Sequence, residues 1–267
     1  MLGSDLSLEC SKSGAQARIF DLPEFDITNQ RHLEDVIKDV DAVVNCAAYT
    51  NVDLAESQSD LAFGVNADAV GQLGQIANRQ GKWVLHISTD FVFDGEKNSP
   101  YNENDKPNPI NVYGKSKLAG EILLAASGCK NAIMRVEWTY GEHGNNFVKK
   151  LVSLSKQRDE LKVVSDQNGS PTATREVSKA ICVFLNKRPQ GLFHFASDGY
   201  TSRYEMAGFI FDKLKNNIKI SPCSTSDFVS PAKRPLNSRF NCDKIKNIIG
   251  EPIKPWQEPL EEYLRTL

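Results

Sequence analysis

No two cysteines of this chain stand close enough in sequence to suggest a metal or redox pair. The six (Cys10, Cys46, Cys129, Cys182, Cys223 and Cys242) are scattered, with no C-x-x-C. That spacing argues against a zinc site and a disulfide framework, and suits reduced thiols in a cytoplasmic protein. His32, His86, His143 and His194 are equally isolated. A metal centre built from histidine and cysteine is therefore not expected. A dominant charge is missing too. The net charge is −2 with both signs interspersed, so neither a nucleic-acid stripe nor a polybasic membrane patch is expected. Every apolar run falls far short of the roughly 20 residues that cross a bilayer. The opening residues do not read as a signal peptide, and no internal repeat stands out.

What is present is a chain of 267 residues, 40% of them hydrophobic. That suffices for one large α/β domain, alone or with a smaller companion. "MLGSDLSLEC" (1–10) reads as the first turns of a helix with no strand ahead of it. "ARIF" (17–20), "DAVVNCAA" (41–48), "KWVLHIS" (82–88) and "AIMRVEW" (132–138) read as strands. The second is apolar without alternation, as in a strand buried on both faces. Between them, 57–80 and 111–127 carry helical spacing, with Ala62, Val65, Ala69, Leu73 and Ile76 marking the first. Such alternation predicts a doubly wound parallel sheet covered by helices on both faces. After about residue 140 the pattern loosens into loops and helices near 145–157, 174–187 and 202–216. The expected division is 1–140 plus about 174–198 for a dinucleotide-binding domain. About 141–173 plus 199–267 would form a smaller C-terminal substrate domain at the sheet's carboxyl edge, where ligands of such sheets sit.

Tyr113 and Lys117 stand four apart in "YGKSK", on one face of a helix. A nearby ammonium is expected to lower the tyrosine pKa from about 10, so that the pair exchanges a proton with a substrate oxygen near neutral pH. In "HISTDFVFDG", Ser88, Thr89 and Asp90 close a buried strand, where hydroxyls can face a ligand; an ordinary polar turn would look the same. "NCAAYT" ends another strand in Ala47 and Ala48, small enough for a cofactor to approach or merely for tight packing. Asp21 follows "ARIF" at about the place where a dinucleotide site keeps its ribose-binding acid, though a solvated strand end fits equally. Asp26 in "FDIT" suits either the adenosine end or a helix cap.

Together these stretches resemble the extended short-chain dehydrogenase/reductases, and more closely the dTDP-4-dehydrorhamnose reductase family. The ordered matches are "FDIT", "VVNCAAYTNVDLAES", "VNADAVGQL", "HISTDFVFDGEKNSPYNENDKPNPINVYGKSKLAGE", "RVEWTYGEHGNNFVKKL", "VVSDQNGSPT" and "RPLNSRFN". The resemblance implies a Rossmann-like fold, NADPH or NADH as cofactor and a nucleotide-sugar substrate. It makes Tyr113 the proton donor, Lys117 its partner and Thr89 the group that holds the substrate carbonyl oxygen. Asp90 and Trp138 would contact the sugar, unless Trp138 is simply core at a strand end. Leu2, Gly3, Ala47, Ala48, Tyr49, Thr50 and Ile87 would line the cofactor, with Asp21, Asp26 and Ile27 toward its adenosine end.

Dehydratases of the same superfamily carry an acid after the Thr-Asp pair, where this chain has Phe91, which cannot move a proton. An epimerase is a further alternative. So is the regulatory subunit of methionine adenosyltransferase, which shares the Y-x-x-x-K pair and would take the catalytic subunit as partner. Some reductases of the family form homodimers through a metal; no ligand set for one is recognisable here, and the oligomeric state stays open. The family pattern begins with a strand and G-x-x-G-x-x-G, of which only Gly3 is present. A central strand buries several large apolar side chains, so the expectation is a functional chain longer by roughly ten residues, with Met1 inside the glycine loop.

Overall fold

The computed structural model describes residues 1–267. Its main sheet has four parallel strands in the order β1 (Ala42–Asn45), β2 (Trp83–Thr89), β3 (Asn131–Val136) and β8 (Gly191–Phe195). Side chains alternate across a strand, and both faces of this sheet are apolar. On one, Leu85, Met134 and Phe193 meet Leu6 and Cys10 of α1 (Leu2–Lys12) and Val177, Ile181 and Phe184 of α8 (Thr174–Lys187). On the other, Val84 and Ile133 meet α2 (Gln30–Ile37), α5 (Ala69–Arg79) and α6 (Val112–Ala126) through Leu33, Ile37, Val70, Leu73 and Leu124. This is the doubly wound α/β arrangement that the alternation predicted.

A second core lies beyond the carboxyl ends of the strands. Val148 and Leu151 of α7 (Phe147–Ser155) and Leu161 and Val163 of β5 (Glu160–Val164) pack with three further groups. These are Met206 and Ile210 of α9 (Arg203–Lys213), Trp256, and Leu260 and Tyr263 of α11 (Gln257–Leu264). β5 pairs in parallel with β10 (Lys219–Cys223). Two short pairings complete this region: β4 (Thr139–Tyr140) with β7 (Thr172–Ala173), and β6 (Asn168–Gly169) with β9 (Thr201–Ser202). α10 (Asp243–Ile249) returns to the main sheet beside β8.

The reading of 17–20 as a strand is corrected. The segment pairs with no strand, and Ile19 and Phe20 are exposed. A strand exists through its ladder partners, and this segment packs on itself instead. The Phe20 and Phe25 rings lie 5.4 Å apart, and the Arg18 guanidinium sits 5.3 Å above Phe20. The helix expected over 57–80 is also not uniform. Helix α3 (Val52–Ala55) precedes it, and α4 (Ser59–Phe63) leads into a π-helical turn at Gly64–Asp68 before α5. Such a turn widens the backbone and recurs at functional sites.

Helix α6 lies unusually close to its neighbours. A Cβ on Gly120 would fall 2.0 Å from the Asn66 carbonyl oxygen in the π turn, and one on Gly114 would fall 2.1 Å from that of Phe91. Alanine normally favours a helix interior over glycine by about 1 kcal/mol. Here the clash reverses the sign, and Gly120→Ala is expected to lose about 1–3 kcal/mol in urea unfolding. Gly64→Ala, with no atom within 4 Å of the added carbon, should cost nothing or stabilise. A Gly120→Ala protein as stable as the parent would contradict this close docking.

Candidate active site

Residue parity along the sheet places the polar groups. Val84 and Ile133 face α6, so His86 and Ser88 on β2 and Arg135 on β3 face it too, nearer the carboxyl ends. Helix α6 answers with Tyr113, Lys117 and Glu121, one every four residues along one side. Glu121 takes Arg135 in a two-pronged pair (Nε at 2.9 Å, Nη2 at 2.6 Å) and accepts the Ser88 hydroxyl at 2.5 Å. Lys117, 2% exposed, donates from Nζ to the Ile87 carbonyl at 2.7 Å and meets His86 Nε2 at 3.2 Å.

Tyr113 is half-buried, with its ring edge-on to Phe91 at 5.5 Å. Burial pushes its pKa up to about 12; a hydrogen bond with Thr89 opposes the rise and the charge of Asp90 adds to it. The expectation that Lys117 would lower this pKa is therefore corrected. The Lys117 Nζ is drawn down to the Ile87 carbonyl and the His86 ring on β2, and the phenol keeps its proton at neutral pH.

Thr89 donates to Asp90 Oδ1 at 3.0 Å and accepts the Phe91 N–H at 3.2 Å. Asp90, 3% exposed, also receives the Ser238 hydroxyl. Burial raises the Asp90 pKa, and the hydrogen bonds from Ser238 and Thr89 hold it back. Trp138 stands just past the sheet with φ 45°, left-handed backbone that a bulky residue adopts only under constraint. The Arg203 guanidinium carbon lies over its ring, 3.5 Å from the centroid. Neighbouring Glu137 is 1% exposed, and no side chain hydrogen-bonds its carboxyl. Burial, then the Asp90 charge, raises its pKa well above the usual carboxylate range, and backbone hydrogen bonds at Ser170 and Phe240 with the Arg203 charge oppose the rise.

The carboxyl end of β1 lies next to the start of α1: a Cβ on Gly3 would sit 4.0 Å from Cys46 Cβ, and Leu2 packs against the core beside it. Ala47 and Thr50 are exposed, and Ala48 and Tyr49 half-buried. Asn66, from the π turn, fixes this ledge. It accepts the Tyr49 N–H at 2.8 Å and donates to the Tyr49 carbonyl at 3.1 Å and to Ser116 at 2.9 Å. Asp21 and Asp26 are not joined to this cluster by any hydrogen bond. The Asp21 carboxylate accepts its own neighbour's N–H, that of Leu22, at 2.9 Å. Asp26 accepts the N–H and hydroxyl of Thr28, each at 2.8 Å, and Ile27 packs against the α2 core. Asn29, not Asp26, caps α2.

Residues 1–267 match the family described as "RmlD substrate binding domain". The dTDP-4-dehydrorhamnose reductase of Sinorhizobium fredii is 39% identical over 258 residues, 92% of this chain and 87% of that protein. This chain belongs to the dTDP-4-dehydrorhamnose reductase family. Among solved structures, the Bacillus anthracis reductase in complex with NADP superposes with a TM-score of 0.94 at 34% identity, covering 100% of this chain and 95% of that one. The Clostridium acetobutylicum reductase gives 0.95 at 36% identity, covering 99% and 95%.

Several site residues escaped the sequence reading: His86, Asn66, Glu121, Arg135, Glu137, Arg203 and Ser238. A polar residue inside an apolar strand, as His86 is in "KWVLHIS", was the available signal, because burial demands a partner. Asp53 and Arg234 sit in two of the matched family stretches, and their pairing was not foreseen. Arg234 grips the Asp53 carboxylate with Nη1 at 3.1 Å and Nη2 at 2.7 Å, tying α3 to the loop before Ser238. Arg234, with Ser230 and Ala232, lowers the Asp53 pKa from 3.8 to about 2 against the cost of burial. A depressed carboxyl pKa stabilises the fold fully above 3.8, and that share is lost as pH falls toward 2. The pair is partly exposed, so screening limits it to about 1 kcal/mol. Asp53→Asn should therefore lower stability at pH 7 by up to that amount and converge on the parent near pH 2 in acid-unfolding curves.

Proposed function

We propose that this chain reduces the 4-keto group of dTDP-4-dehydro-L-rhamnose to give dTDP-L-rhamnose, with NADPH or NADH as the cofactor. The observation that carries the reading is the meeting of a protonated Tyr113 phenol and the Thr89 hydroxyl at the end of β2, with Lys117 one turn along α6 held against the same strand, in a member of this family. The reductase names of the relatives support it over a regulatory subunit, and the NADP complex of the Bacillus anthracis relative supports a nicotinamide nucleotide. The residues present fit such a nucleotide. The exposed Ala47 and half-buried Ala48 leave the ledge beside the start of α1 low, and a helix N-terminus favours phosphate. Leu2, Gly3, Ala47, Ala48, Tyr49, Thr50, Ile87 and Lys117 would hold it, with Asp21, Asp26 and Ile27 toward the adenosine.

The bound nucleotide supplies the hydride. The protein's part is to place the ketone and to manage the charge that develops on its oxygen. Thr89 can turn its hydroxyl proton from Asp90 to that oxygen, and Tyr113 gives up its phenolic proton to the alkoxide. A tyrosine pKa near 12 keeps the donor form populated at every working pH. Phe91, next to Asp90, has no proton to move, which separates this site from one that eliminates water. Trp138 and Asp90 would take the sugar, in the region where the second core closes over the strand ends.

Tyr113→Phe removes only the hydroxyl. Turnover in an NADPH-oxidation assay with the 4-keto sugar nucleotide should fall by a factor of about 10²–10⁴, while nucleotide binding stays close to the parent's. Turnover that survives the substitution would take Tyr113 out of the mechanism.

A further inference from the structure

We infer that Asn45 and His86 are positioning residues that set the charge state of Lys117 through the tautomer of the His86 ring. The inference deepens the proposed function, since it rests on Lys117 being the partner of Tyr113. Asn45 ends β1 and is 4% exposed; His86, on β2, is 0% exposed. The Ala47 backbone N–H reaches Asn45 Oδ1 at 3.0 Å. A backbone N–H only donates, so this contact settles which way the amide faces. Asn45 Nδ2 is then the atom 3.1 Å from His86 Nδ1. An amide nitrogen also only donates, and Nδ1 must accept. A neutral imidazole carries one proton, and burial, with Lys117 nearby, keeps His86 neutral. That proton therefore sits on Nε2, pointing at Lys117 Nζ 3.2 Å away.

An Nε2–H needs an acceptor. An ammonium offers none, whereas a neutral amine offers one lone pair. The count of donors agrees. Lys117 Nζ has one acceptor, the Ile87 carbonyl, so a buried ammonium would keep two N–H groups without a partner. The charged and titratable groups around it do not supply one. Glu121, one turn on along α6, is held by Arg135 and Ser88. The Cys46 thiol, at the end of β1 near the Met1 amine, is kept protonated by burial, with a pKa raised to about 12. Tyr113 on the same helix is also neutral. For Lys117 to be charged without conflict, His86 must move its proton to Nδ1, and Asn45 must turn over and lose Ala47. The pKa of Lys117, lowered by burial from 10.5 to about 8 against the pull of Glu121, is in line with this geometry. Lys117 then gains and loses a proton within the working range.

The test is side-chain NMR on the full chain, without turnover. Nitrogen-15 correlation spectra should show His86 protonated on Nε2 and bare on Nδ1 above the titration of Lys117. Carbon-13 titration of the lysine Cε resonances should place Lys117 near 8, its signal assigned by loss in Lys117→Met. In His86→Gln the amide can present its oxygen to Nζ, and the midpoint should rise by roughly one pH unit or more. A His86 protonated on Nδ1, or a Lys117 midpoint unmoved in folded His86→Gln, overturns the inference. Should His86→Gln not fold, the tautomer in the parent protein decides alone. The wrong tautomer in an active reductase sinks this inference only; the right tautomer in a chain that does not reduce the sugar sinks the functional reading only.

Discussion

The site depends on how closely α6 lies on its neighbours. Gly114 and Gly120 bracket Lys117, and each meets a backbone carbonyl where a methyl group would clash. With larger residues the helix would stand off by the width of a methyl. Lys117 Nζ could not then reach the Ile87 carbonyl, and Glu121 could not hold Arg135 in two contacts. The π turn at Gly64–Asp68 belongs to the same constraint, since it brings the Asn66 backbone to Gly120 and its side chain to Tyr49 and Ser116.

Such docking buries polar groups that would otherwise destabilise the fold. The Glu121–Arg135 pair is nearly inaccessible, and a buried ion pair holds only when its geometry and remaining hydrogen bonds are satisfied. Ser88 on Glu121 and His194 near Arg135 Nη1 at 3.4 Å go toward meeting that need. Above this layer, Thr89, Asp90 and Ser238 form a chain that joins β2 to a segment 148 residues away. Polar networks completed in this way fix one arrangement of side chains, as a hydrogen-transfer site requires. Glu137 departs from the pattern: its carboxyl is buried beside the Arg203–Trp138 stack with no side chain hydrogen-bonded to it, and burial raises its pKa.

Much of this was legible in the residues. Apolar runs and helical spacing located β1, β2, β3 and the helices α6 and α8 to within a few positions, and ran α4, the π turn and α5 together as one helix. The four-residue step from Tyr113 to Lys117 put both on one face, and "STD" placed Thr89 and Asp90 at a strand end. Three readings failed or stayed divided for physical reasons. "ARIF" has β-branched and aromatic content, but a strand needs a partner, and propensity carries no information about one. The Lys117 effect on Tyr113 was drawn from spacing alone, which says nothing of where a long flexible side chain turns. Asp26 had two readings; Asn29 rather than Asp26 caps α2, and the Asp26 carboxylate accepts from Thr28.

By itself, then, the sequence determined the class of fold and the family and pointed to the candidate site residues, because these are written in short-range pattern. The charge states were decided only by tertiary structure. Tyr113 is neutral and the Glu137 pKa is raised because burial disfavours their ions, and burial is a property of the packed chain. Lys117 faces His86 because β1, β2 and α6 meet there, and the amide of Asn45, 41 residues from that ring, fixes the face the histidine presents. No local pattern encodes such a contact, since each of its members is an ordinary residue until the sheet and the helix bring them within 3.2 Å.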